Sequence, residues 1–205
     1  MAKLKLDELN RVSVADFKNQ QKLPIVLVLD EVRSLHNVGS IFRTADGFAV
    51  EAMVLCGITA QPPHREIEKT ALGATQSVDW SYFPSTVAAV LELKATGYTV
   101  LALEQASEST LLTDFTPTAD TKYAIILGNE VNGVNEEVMK LVDGCLEIPQ
   151  FGTKHSFNVV VSAGIVIWDF FAKWHKMMAN RCFLLKIIKQ CDITTVSALY
   201  NFYFF

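Results

Sequence analysis

Three short stretches carry most of the side chains that could bind and orient a ligand. Each stretch is polar, but none is rich in the cysteines and histidines that redox or metal chemistry requires. Glycines within or beside these stretches would let a ligand approach the backbone closely. The pattern therefore predicts a polar site without redox chemistry. The six residues that define it are Asn37 and Arg43, Asn129 and Glu130, and Ser156 and Asn158.

Several familiar sites are excluded by their motifs. The segment GNEVNGV (128–134) has the G-x-x-x-x-G skeleton of a phosphate-binding loop, but Val134 and Asn135 stand where that loop needs Lys and then Ser or Thr. No G-x-G-x-x-G follows a predicted strand, and there is no G-x-S-x-G or histidine pair at metal-ligand spacing. We expect no metal. The cysteines form no C-x-x-C pair, which favours buried, reduced thiols; they are Cys56, Cys145, Cys182 and Cys191.

Composition predicts one cytoplasmic domain. The chain has 205 residues, half of them hydrophobic, which is enough for a sizeable core. No apolar run is long enough to cross a membrane, and residues 1–20 lack the apolar centre of a signal peptide. The net charge is −4, and both ends are basic around an acidic middle. A polyanion would therefore be held only by local basic patches.

The elements that must position the polar residues alternate between strand and helix. Apolar runs predict strands at 25–30, 52–56, 98–104, 122–128 and 145–149. Helices are expected from Asn37, over 65–71, after Ser85, over 135–142 and from Phe157. This alternation predicts a parallel α/β sheet with its ligand at the carboxyl ends of the strands. Four stretches follow strands at that edge: EVRSLHN, GITAQPPHRE, GNEVNG and PQFGTKHS.

Structural explanations exist for each candidate. Arg43 could be a solvent-exposed helix residue, and Asn37 or Ser156 could simply cap a helix. Glu130 could bond only to loop amides, and Asn158 could be a polar residue of a first helical turn.

Three motifs in order favour a functional interpretation. The pattern N-x-G-x-x-x-R (Asn37, Gly39, Arg43) resembles the first motif of the SpoU (TrmH-type) RNA ribose methyltransferases of the SPOUT superfamily. YAIILGNEVNGV resembles the second motif of that family, and LEIPQFGTKHSFNVVVSAGIVIWDF resembles the third. The resemblance covers roughly residues 22 to 172.

The resemblance implies a fold, a partner and a cofactor. The family has a Rossmann-like α/β fold with a C-terminal deep trefoil knot, forms homodimers and uses S-adenosylmethionine. We expect a basic extension at 1–22, the methyltransferase domain at 23–178, and an apolar tail of unassigned role at 179–205. The family usually has leucine where this chain has Phe157. The cofactor-binding residues implied are Leu103, Gly128, Asn129, Ile148, Ser156 and Phe157.

The reaction implied is methyl transfer to a ribose 2′-hydroxyl of RNA, with tRNA favoured over rRNA. The catalytic residues carried over are Arg43, Asn37, Glu130, Ser156 and Asn158. Basic residues on the loops of the same edge are expected to contact RNA; they are His64, Arg65, Lys69 and Lys154. With only about twenty residues ahead of the first strand, we expect no separate RNA-binding domain and a second subunit that helps to hold the substrate. The alternatives are a non-catalytic RNA- or cofactor-binding member of the fold and a nucleotide-binding regulator.

Overall fold

The computed structural model describes residues 3–5 and 12–190. In this part of the chain, seven strands form one sheet in the order β3-β2-β1-β6-β4-β7-β5, with every pair parallel. The predicted parallel α/β sheet is therefore confirmed. The strands are β1 (Leu23–Asp30), β2 (Val50–Cys56), β3 (Asp79–Phe83), β4 (Tyr98–Leu103), β5 (Thr110–Leu111), β6 (Lys122–Leu127) and β7 (Gly144–Glu147).

Helices cover both faces of the sheet. One face packs against α2, α3 and α7, and the other against α5 and α6. A parallel sheet covered on both sides needs strands that are apolar throughout. In β1, Leu27 and Leu29 face the first core while Val26 and Val28 face the second. The helices are α1 (Val14–Asn19), α2 (Leu35–Gly47), α3 (Arg65–Ala71), α4 (Ala74–Ser77), α5 (Thr86–Ala95), α6 (Glu136–Met139) and α7 (Val159–Gln190).

Two strands and two helix starts differ from the sequence-based expectations. The edge strand β3 was not predicted because its sequence, DWSYF, is mostly polar or exposed, and β5 has only two residues. Helix α2 begins at Leu35, capped by Ser34, whose hydroxyl accepts from the Asn37 amide. Asn37 is therefore inside the helix and does not cap it. Likewise Ser156 lies ahead of α7, whose first residue is Val159.

Helix α7 reaches beyond the predicted domain. It passes residue 178 without interruption and packs on the end of α2, where the ring of Phe48 lies 5.2 Å from that of Phe171. Residues 1–2 and 6–11 of the expected extension, and 191–205 of the expected tail, lie outside the described residues. Of the described helices, none is long and apolar enough to cross a membrane. The trefoil knot stays a prediction. Cys56 and Cys145 are free and buried, as predicted.

Candidate active site at the carboxyl edge of the sheet

A cavity of about 510 Å³ opens at the carboxyl ends of β4, β6 and β7. Its size is within the range of small-molecule sites, roughly 300–1,000 Å³. The start of α7 and the loop before it complete the wall. Lining residues from the strand ends are Leu103, Glu104, Gln105, Leu127, Gly128, Asn129, Glu130, Val131, Asn132, Gly133, Ile148 and Gln150. Those from the loop and α7 are His155, Ser156, Phe157, Asn158, Val159 and Ser162.

The six predicted cofactor-binding residues all line this cavity. Three predicted catalytic residues line it as well, namely Glu130, Ser156 and Asn158. Asn37 and Arg43 do not. The structure therefore brings the second and third motifs together around one space, with the first motif beside them.

The loop after β6 is a closed turn. Backbone hydrogen bonds join Asn129 and Gly133 in both directions, at 2.9 and 3.0 Å. The Asn129 side chain accepts from the amides of Val131 and Asn132 and donates to the Glu31 carbonyl at 2.7 Å. Its side-chain groups thus already shape the loop and attach it to the end of β1.

Glu130 connects this loop to α2. Its carboxylate accepts from the backbone amides of Arg33 (3.0 Å) and Ser34 (3.1 Å) and from the Asn37 side chain (2.9 Å). Partial burial by itself would raise the pKa of Glu130, but these hydrogen bonds outweigh it and the pKa is lowered. Glu130 is therefore a carboxylate at neutral pH, at the amino-terminal end of a helix, where the helix dipole favours negative charge.

Asn37 links Glu130 to the third motif. While its amide nitrogen donates to Glu130, its oxygen accepts a long hydrogen bond from the Asn158 side chain, at 3.4 Å. Asn158 in turn caps α7: its side-chain oxygen accepts from the Val160 amide at 2.8 Å and its carbonyl accepts from Ser162. One residue from each motif thus belongs to a single polar chain across the site.

Two motif glycines allow close backbone packing. A Cβ on Gly128 would overlap the carbonyl carbon of Gly133 and the amide nitrogen of Val134. A Cβ on Gly39 would overlap the Ile67 carbonyl and the Thr70 hydroxyl. Gly128 is therefore required by the turn after β6, and Gly39 by the contact between α2 and α3.

Sequence reasoning missed Glu104. This carboxylate follows β4, lines the cavity, and accepts from the Val134 amide at 3.0 Å and the Gln105 amide at 2.9 Å. Glu104 is the last residue of the predicted strand 98–104. Its position at a strand end is the signal that could have found it.

Arg43 lies outside the cavity. It is exposed and, among the described residues, has no hydrogen-bond or ion-pair partner. At 100° per residue, Arg43 is turned about 120° from Asn37 around the helix and shares a face with Ser40 and His36. The guanidinium is thus on the outer side of α2, and no carboxylate in the described part of this chain pairs with it.

The predicted RNA-binding residues are exposed, but two of them already have partners. The His64 ring accepts from the Glu66 amide and caps α3. Lys69 pairs with Glu66 at 2.7 Å, and His36 contacts the same carboxylate at 3.1 Å. Hydrogen bonds from Lys69 and then His36 lower the pKa of Glu66. Arg65 and Lys154 have no such partner within the described residues.

The arrangement offers polar groups that can position a ligand. Within the described ranges, no three His, Cys, Asp or Glu side chains are placed to share a metal ion. The cavity combines apolar walls with carboxylate, amide and hydroxyl groups. This mixture of apolar surface and hydrogen-bonding groups suits a nucleoside-like ligand.

Comparison with known proteins finds the family that the three sequence motifs resemble, along most of the chain. Residues 24–168 match the model of the SpoU rRNA Methylase family. A 23S rRNA (guanosine-2′-O-)-methyltransferase, RlmB of Neisseria meningitidis serogroup B, is 31% identical over 77% of this chain and 62% of its own length. The chain thus spans less than two thirds of the length of the curated relatives it matches.

Solved structures share the fold. The TrmH/SpoU tRNA modifying enzyme of A. aeolicus superposes with a TM-score of 0.70 at 22% identity, covering 80% of this chain and 83% of that one. The AdoMet-bound rRNA methyltransferase of Sinorhizobium meliloti gives 0.67 at 24% identity, covering 75% and 59%. At such identities these likenesses establish the fold alone, whereas the family match rests on the sequence. The chain belongs to the SpoU rRNA Methylase family.

Proposed function

We propose that the protein transfers a methyl group from S-adenosylmethionine to a ribose 2′-hydroxyl of RNA, with tRNA favoured over rRNA. The observation that carries the proposal is the cavity at the carboxyl edge, formed by the second and third motifs and joined to the first by Glu130, Asn37 and Asn158. Two relatives add support: one is named a guanosine-2′-O-methyltransferase, and another was solved with AdoMet bound.

The cavity fits the cofactor chemically. Leu103, Ile148 and Phe157 give apolar walls for a nucleobase, while Glu104 and Gln105 offer acceptors and donors for ribose hydroxyls and an ammonium group. When bound, S-adenosylmethionine supplies an activated methyl carbon. The protein's own task is to hold the hydroxyl in line and to stabilise the charge that develops as its proton leaves.

Glu130 has a positioning role in this scheme. Its carboxylate already accepts three hydrogen bonds and its pKa is lowered, so it is a poor proton acceptor. Ser156 and Asn158 are exposed polar residues at the cavity wall. We infer that they orient the substrate hydroxyl, while Asn158 also bonds to Asn37 and to the start of α7.

Arg43 supplies positive charge. An arginine stays protonated in proteins, so it holds a phosphate or stabilises an oxyanion and does not accept the proton. Because Arg43 is exposed and outside the cavity, we infer that it meets the reacting ribose at an interface, which a homodimer would provide. Helix α7 has the surface for one: Val161 and Trp168 are 47% and 58% exposed, and Ile165 lies between them on the same face.

The decisive experiment maps ribose 2′-O-methylation in RNA from cells with and without the gene, followed by methyl transfer with purified protein on the RNA so identified. Loss of one methylated position, restored in vitro, is the expected result. Cofactor binding without methylation of any RNA would instead favour the non-catalytic alternative. The cytoplasmic location and the trefoil knot stay predictions.

A further inference from the structure

Phe151 is an aromatic side chain held almost wholly in water. It is 97% exposed, on the loop between β7 and α7. A single exposed apolar residue is ordinary. Here, however, two apolar residues that line the neighbouring cavity are exposed as well, Val131 (75%) and Phe157 (42%). Exposed apolar residues therefore lie both in the cavity wall and on the loop beside it.

The same loop is basic in a region of the chain that is acidic. Between Ile148 and Val159 there are Lys154 and His155 but no carboxylate. Lys154 has no ion-pair partner among the described residues, and His155 lines the cavity. Phe151 and the unpaired Lys154 therefore lie on one short loop, of which Gln150 and His155 line the cavity.

This pairing suits an unpaired nucleotide. Proteins that bind single-stranded RNA stack bases on aromatic rings and contact the adjoining phosphates with cations. A base paired inside a helix has no free face, so such a site selects RNA with an unstacked base. Stacking tolerates any base, because every base has a π face.

We propose that Phe151 is the stacking platform for a nucleobase next to the target nucleotide, with Lys154 on the adjoining phosphate. The proposal rests on the proposed function, and it specifies the substrate as RNA with an unpaired segment at the modified site. A second copy of the chain is the competing occupant. It is disfavoured because the apolar face proposed for self-association is on α7, whereas Phe151 is accompanied by the cation Lys154.

The test measures binding of a short single-stranded RNA that contains one 2-aminopurine, using the full chain. We expect wild-type protein to quench the 2-aminopurine fluorescence. Phe151→Ala should lose the quenching and weaken binding roughly 5- to 100-fold, while Phe151→Trp should retain both. Leu91→Ala, which removes an exposed apolar side chain on the opposite face of the sheet, is the matched control and should behave as wild type.

Salt dependence separates the two residues. Lys154→Ala should reduce the slope of log affinity against log salt by about 0.7, since one phosphate contact is lost. Phe151→Ala should leave that slope unchanged, because stacking releases no counterions.

Two results would overturn the inference. One is unchanged affinity and quenching in Phe151→Ala. The other is a shift of oligomeric state in Phe151→Ala with RNA binding intact, which would make this residue a subunit contact. Failure of the proposed function is distinct: wild-type protein would quench the probe, as stacking requires, yet methylate no RNA.

Discussion

Asn37 and Glu130 are hydrogen bonded at 2.9 Å although 93 positions separate them in the chain. The bond joins the first turn of α2 to the loop after β6, and so couples the first motif to the second. The cavity wall made by that loop consequently depends on residues that do not themselves line the cavity.

Replacing Glu130 should loosen the cavity wall. In Glu130→Gln the amide oxygen can still accept, but the negative charge at the start of α2 is lost. We expect cofactor affinity to fall by about tenfold, equivalent to roughly 1.4 kcal/mol, and the amides of 129–134 to exchange hydrogen faster. Calorimetry and hydrogen exchange measure the two effects, with the exposed Glu108→Gln as control. Unchanged exchange in Glu130→Gln would show that the loop holds its shape without this carboxylate.

The same carboxylate predicts a pH effect. Because the pKa of Glu130 is lowered below its ordinary 4.5, its stabilising contribution is present above pH 4.5 and is lost as the pH falls through the folded-state value. Wild-type protein should therefore lose stability in that acidic window more steeply than Glu130→Gln. Urea unfolding at a series of pH values measures this, and parallel curves for the two proteins would contradict it.

Gly128→Ala should damage both the fold and the site. The added Cβ would overlap backbone atoms of Gly133 and Val134, so the turn has to shift. We expect a loss of about 1–3 kcal/mol in the free energy of unfolding, as for other overpacked sites, together with weaker cofactor binding.

Gly47→Ala is the matched control. A Cβ there meets nothing within 4 Å, at the last residue of helix α2. Because alanine favours a helix over glycine, this variant should gain up to about 1 kcal/mol and bind cofactor normally. Equal stability of the two variants in urea unfolding would refute the packing argument.

Arg43 should affect transfer but not cofactor binding, since it lies outside the cavity. Arg43→Ala should slow single-turnover methylation by about 10²- to 10³-fold, as when one oxyanion donor is removed. Arg43→Lys keeps the charge but loses the planar fork, so it should retain part of the activity. Calorimetry should give wild-type cofactor affinity for both. If both variants were equally inactive from pH 6 to 10, that would favour Arg43 as the base that accepts the hydroxyl proton. Full activity of Arg43→Ala would show that Arg43 is a surface residue without a role in transfer.

The exposed face of α7 should carry self-association. Trp168→Glu places a charge beside Phe48 and Phe171, whose rings lie 6.0 and 5.9 Å from the tryptophan ring. We expect light scattering at micromolar concentration to give a dimer for wild type and a monomer for Trp168→Glu, with near-native circular dichroism. Leu91→Glu, at an exposed position of α5, is the control and should remain a dimer. A monomeric wild-type protein would contradict the proposal that this face of α7 forms a dimer interface.

The sequence by itself determined the features that depend on local pattern. Runs such as IVLVLD predict buried parallel strands, because both faces of such a strand are covered. Apolar residues three and four positions apart predict helices, because they lie on the same helical face. The order of three motifs predicted the family, and strand-end positions predicted which loops share an edge. Where the local signal is weak, prediction failed: β3 is a polar edge strand and β5 has two residues.

Only the tertiary structure decided what each polar residue does. Asn37 is a polar bridge and not a helix cap, Gly128 serves backbone packing, and Glu104 belongs to the cavity without any motif. The bonds that join Asn37 and Glu104 to other elements span 30 to 121 positions along the chain, as in those of Glu104 to Val134 and of Asn158 to Asn37. Local periodicity carries no information about such pairs, since they form only when the strands that carry them are brought side by side in the sheet.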